Sequence, residues 1–220
     1  MTESKPTHKP TFPTYKDHLN KTFLEELNYK LWSTKGIRFK ASKRLLTQDN
    51  LSNKALGFLS SYLIILGLLS VYKITGDTGI NEKLLAFGTT TLSILLLAFS
   101  QMEAAQDFKI KARNFQDCAL NISRLYDELR IFKTLTNPSD NQNRKFASEI
   151  STQYENILER NPNHNDIDYQ IFRIEHQDYF KLTNSKFRAV RFRYYIEVKL
   201  LYHVLIIIPP VVIIVILFLT

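Results

Sequence analysis

Apolar side chains along the chain gather into three uncharged runs, residues 55–72, 84–102 and 200–220, with polar and charged sequence between them. A helix of about 20 residues, rising 1.5 Å per residue, matches a hydrocarbon core of about 30 Å, whereas a helix buried in a soluble domain is usually shorter and interrupted by polar positions. The first two runs are separated by eleven residues and fit a transmembrane hairpin. No run alternates with a strand period. The expected fold is therefore an all-α membrane protein: an N-terminal hairpin (55–102), a long cytoplasmic helix continuing from its second span, a small helical cytoplasmic module (103–199) and a third, C-terminal span (200–220).

The polar segments carry their own periods. Residues 1–14 hold three of the seven prolines and no period, which predicts a disordered tail. Tyr15, Leu19, Phe23, Leu27 and Leu31 follow at four-residue steps and predict a short amphipathic helix broken at Gly36. The basic stretch 37–46 then predicts a second helix lying along the headgroups, so that 15–54 form a cytoplasmic, interfacial segment. Beyond the second span, Phe108, Ala112, Phe115, Ala119, Ile122, Tyr126 and Leu129 recur in steps of four and three, with Cys118, Leu125 and Phe132 alongside. That heptad seam suits either packing within the chain or self-assembly. No Gly or Pro separates it from the membrane run, which predicts one helix over 84–134. A turn-rich loop, TNPSDNQN, follows, then a helix to Arg160, a polar loop NPNHNDID, and helices near 169–182 and 186–199. Pro209 and Pro210 predict a kink in the last span.

Charge orients these elements. Lys35, Arg38, Lys40, Lys43, Arg44 and Lys54 precede the first span, and Lys181, Lys186, Arg188, Arg191, Arg193 and Lys199 precede the third. Loops dense in Lys and Arg stay cytoplasmic, which puts the N-terminus inside and the hairpin loop 73–83 outside. The net charge of +8 invites a nucleic-acid reading, but these juxtamembrane positions lie nearest to anionic lipid headgroups, and no stacking or zinc module accompanies them. Direct nucleic-acid binding is not expected. The polar start lacks the apolar core of a signal peptide, so insertion is expected to use the first span. A lone Cys118 forms no internal disulfide, in keeping with a reducing compartment.

Two groups of polar residues stand out. Thr89, Ser93, Ser100, Glu103 and Asp107 share one face of the second span and its extension. They either line water in a ring of copies, with the two acids at its mouth, or bond locally to helix backbone and solvent. Tyr154, Arg160, Asn163, His164, Asp168 and Tyr169 cluster around the NPNHNDID loop. They read as helix caps or as a site that receives a signal or partner. His164, Asp166 and Asp168 alternate as metal ligands can, but a single histidine without a helical partner does not make a metal site. Arg144, Lys145, Arg160 and Arg173 are candidate phosphate contacts or simply a solvated face. No phosphate cradle, nucleophile elbow or cysteine–histidine pair is present, so neither an enzyme nor a cofactor is expected.

The basic N-terminal segment, the hairpin, the helix that extends it and the block YENILERNPNHNDIDY together resemble the SLATT family of two-span effectors from bacterial conflict systems, in a branch with an added C-terminal span. The resemblance implies a multi-pass protein of the bacterial inner membrane that forms homo-oligomers and permeabilises the bilayer, ending phage replication. It implies as trigger a nucleotide-synthesising enzyme, a cyclic nucleotide or a reverse transcriptase. A nonconducting scaffold that recruits a cytoplasmic partner is the alternative.

Overall fold

The computed structural model describes residues 21–72 and 82–219. Among them the chain is helical, with no strand: α1 (Phe23–Tyr72), α2 (Glu82–Ala104), α3 (Phe108–Leu135), α4 (Asp140–Glu159), α5 (Asp166–Glu175), α6 (Gln177–Phe180), α7 (Asn184–Tyr195), a π-helical turn (Ile196–Leu200) and α8 (Leu201–Leu219). The expected disordered tail and external loop fall outside the described residues, apart from Glu82 and Lys83 at the start of α2. Three helical stretches, Phe23–Val71, Leu85–Leu135 and Asn184–Val212, contain windows long and apolar enough to cross a membrane. The fold is an all-α membrane protein.

Two compact units divide the chain. The first combines the described part of Met1–Lys43 with Ala112–Phe192. Its core is the α3 seam closed by α1 and α4: Cys118, Ile122, Leu125 and Leu129 pack with Leu27, Leu31 and Ile150, with Phe146, Tyr154 and Ile157 at the edge. The seam is therefore covered within the chain. Phe132 and Phe146 stack with centroids 3.9 Å apart, and Lys35 Nζ lies 3.7 Å over the Tyr126 ring. Burial lowers the Lys35 pKa, and Arg130 lowers it further against the pull of Asp127.

Gly36 does not end a helix. α1 runs straight through it, because the missing side chain is filled by a neighbour: a Cβ there would sit 2.4 Å from Phe172 Cε2. Phe172 is 1% exposed and forms a second core with Ile37 and Phe180. Nor do residues 37–46 form a separate helix along the headgroups, since Ile37, Arg38, Ala41, Ser42, Arg44 and Leu45 are all buried. A helical glycine costs about 1 kcal/mol against alanine, and close approach of a large ring offsets that cost.

The expected helix over 84–134 is also interrupted. α2 ends at Ala104 and α3 begins at Phe108, with Asp107 at φ 51° between them. Asp tolerates the left-handed region better than most residues, so a turn forms without glycine. Ser139 begins α4 earlier than the turn-rich sequence suggests, through a capping box with Gln142. The expected helix over 169–182 is two pieces, α5 and α6, joined at His176.

The second unit is Arg44–Lys111 with Arg193–Thr220, whose described residues end at 219. Here α8 contains Pro209 and Pro210 without leaving the helix. Pro210 has no N–H to give to the Ile206 carbonyl four residues back. The Tyr62 hydroxyl of α1 donates to that carbonyl instead, at 2.8 Å. In hydrocarbon no water would do so. A second tie joins α8 to α2, where the Tyr202 hydroxyl donates to Glu103 Oε2 at 3.0 Å.

Candidate functional site

Each unit holds one of the two polar groups. In the first unit α1 holds both α4 and the loop that follows it. Tyr154 Oη and Thr34 Oγ1 share a hydrogen bond of 2.8 Å, and the Arg38 guanidinium donates to the Pro162 carbonyl. Inside the loop, the His164 amide donates to Asn163 Oδ1, and the Asn165 amide donates to Asp168 Oδ2. Asp168 is 1% exposed and uses its carboxylate to start α5. Tyr154 and Asp168 are thus anchors.

Arg38 is the residue that sequence reasoning misplaced. Its sequence position is that of a headgroup cation, yet it is 3% exposed, its guanidinium 5.5 Å over the Phe115 ring. The available signal was its position seven residues after Leu31 and seven before Leu45, both buried, on one helical face. Burial of the His164 ring, and then the Arg38 charge, press the His164 pKa below the usual value, with Asp168 and Asp166 opposing. Arg160 and Asn163 remain exposed on the loop. Tyr169 stands beside Arg173, whose guanidinium lies 5.5 Å from that ring and 5.4 Å from Phe180. The Tyr29 hydroxyl nearby is pushed up to about 12, first by burial and then by Tyr169 and Tyr179.

In the second unit the five residues of the α2 face separate. Thr89 Oγ1 donates to the Leu85 carbonyl and Ser93 Oγ to the Thr89 carbonyl, each at 2.8 Å, so both hydroxyls bond back to their own helix. Ser100, Glu103 and Asp107 instead share the wall of a cleft of about 320 Å³ with Asp49, Ser52, Asn53 and Lys109. Lys109 Nζ lies 3.7 Å from Asp49 Oδ2. Among the described residues, no three His, Cys, Asp or Glu groups converge as metal ligands.

Residues 20–216 match the model of the SMODS and SLOG-associating 2TM effector domain family 5. This chain is a SLATT protein. The matched region includes the third apolar helix as far as residue 216, although the family description names two spans. No curated protein and no solved structure matches this SLATT chain.

Proposed function

We propose that this SLATT chain is the membrane effector of a bacterial anti-phage system, sited in the inner membrane with its N-terminus in the cytoplasm, whose copies assemble and permeabilise the bilayer. The supporting observation is α2. None of the residues in its apolar window is buried within the chain, and Phe87, Ile94, Leu95 and Leu97 are 60% exposed or more. A surface of that kind is stable only when lipid or further copies cover it. The trigger is a nucleotide-synthesising enzyme, the cyclic nucleotide it makes, or a reverse transcriptase. It shifts the assembly only through different affinities for the resting and assembled states. The exposed Arg160 and Asn163, on a loop fastened to α1, are our candidates for meeting it.

A nonconducting scaffold is the competing reading. The inward-bonded hydroxyls of Thr89 and Ser93 favour it, because a pore lining presents hydroxyls to water. Dye release from liposomes carrying the purified chain separates the two. Release on addition of a trigger, reduced about tenfold by Ser93→Leu and Ser100→Leu, is expected of a conducting assembly. Trigger binding with no release under any condition overturns this reading.

A further inference from the structure

The Arg38 guanidinium is a buried cation that the effector reading leaves unexplained. It is closed off from solvent, and the acceptor it meets, the Pro162 carbonyl, carries no charge. Among the described residues no carboxylate pairs with it, and its enclosed Nε meets no hydrogen-bond partner. A buried charged donor left unmet is costly. A second enclosed atom lies within its field: His164 Nδ1 likewise meets no partner, and the Arg38 charge is felt at that ring. Two acids also face His164. Asp168 is buried and accepts the Asn165 amide at the start of α5, whereas Asp166 is exposed. The cover over Arg38 is thin. Residues 161–165 form no helix, and Pro162, Asn163 and Asn165 among them are exposed.

The two unmet atoms define what would satisfy them. A guanidinium only donates, and His164 Nδ1 donates in one neutral tautomer and in the imidazolium, so a group that meets both must accept from both. One that also balances the buried charge must be an anion. Guanidinium groups match phosphate-type oxyanions through charge-assisted hydrogen bonds in a fixed fork. We propose that residues 161–165 are a lid over an oxyanion site, where a phosphate or sulfate group replaces the Pro162 carbonyl as acceptor for Arg38 and takes a second hydrogen bond from His164. The closed lid leaves both atoms unmet, and the anion repays its opening. The site deepens the effector reading by giving its loop a ligand class, and rests on that reading for the ligand's role but not for its binding.

The test titrates the full chain in detergent with sulfate, which keeps both charges between pH 8 and 5.5, and follows binding by calorimetry. One sulfate per chain is expected, held about tenfold more tightly at the lower pH, where His164 gains its proton. Amide exchange in residues 161–165 should rise on binding as the lid opens. Arg38→Gln is expected to weaken binding by about tenfold or more, and His164→Gln to remove the pH dependence. Asp166→Asn removes an exposed acid that faces His164 and is expected to tighten binding severalfold, a gain that misfolding cannot mimic. Competition by adenosine monophosphate or by phosphatidylglycerol in mixed micelles then tells a soluble phosphate from a lipid headgroup. Absence of sulfate binding at both pH values overturns the proposal, as does unchanged affinity in Arg38→Gln or in Asp166→Asn, or unchanged exchange in the loop. None of these results bears on dye release, which tests the effector reading separately.

Discussion

α2 and α3 are neighbours in the chain, three residues apart, and both carry apolar positions at helical spacing, yet their surroundings are opposite. On α3 seven residues are buried, from Ala112 to Leu129, and the stripe they form meets Leu27 and Leu31 of α1 and Ile150 of α4. On α2 the apolar window has no buried residue at all. Hydrophobic content alone therefore does not name the solvent of a helix. What decides is whether other parts of the chain close over the stripe, and for α2 they do not.

Core substitutions in the first unit should test this contrast most strongly. Phe172→Ala removes a ring that is 1% exposed and is expected to cost about 3–5 kcal/mol in equilibrium unfolding of the detergent-solubilised chain. Leu95→Ala on α2, a residue 60% exposed, should stay within about 0.5 kcal/mol in the same assay. If the two cost the same, the proposed difference in surroundings is wrong. Leu95→Arg should instead act on insertion, at about 2.5–3.5 kcal/mol near a span centre, read as loss of the chain from the membrane fraction. Gly36→Ala should cost about 1–3 kcal/mol through its clash with Phe172, and pairing it with Phe172→Leu should recover part of that cost. Ser139→Ala should cost about 1 kcal/mol by removing the α4 cap.

The smallest expected effect is a pH dependence. Burial and Arg38 lower the folded-state pKa of His164, so the unfolded chain binds a proton there more readily than the folded one. The contribution is fully present above the ordinary histidine value of about 6.5 and is lost as pH falls through that value to the lower folded one. Thermal unfolding between pH 8 and 5 should show the decline, and His164→Gln should flatten it. An equal decline in the variant would locate the effect in other groups.

Much of this contrast was legible in the residues. Three uncharged runs marked the helices that leave their apolar faces open, and the steps of four and three marked α3, because both patterns are local properties of the chain. What stayed hidden depended on partners distant in sequence. Gly36 reads as a breaker until Phe172 is found in the space its missing Cβ leaves. Arg38 reads as a headgroup cation until its donation to Pro162 and its burial are seen. The turn at Asp107 carries neither Gly nor Pro, so no breaker announced it. Of the α2 face, Ser100, Glu103 and Asp107 line one cleft, but Asp49, Ser52 and Lys109, which complete that cleft, carried no spacing signal linking them to it.

A rod of isoleucines, leucines and valines is free to spin about its long axis in oil, since every azimuth offers the same greasy contact. One bare carbonyl ends that indifference. By exposing Ile206 O to a single phenol, the Pro209–Pro210 step clocks α8 to Tyr62, so the last helix holds one angular setting rather than an average over many.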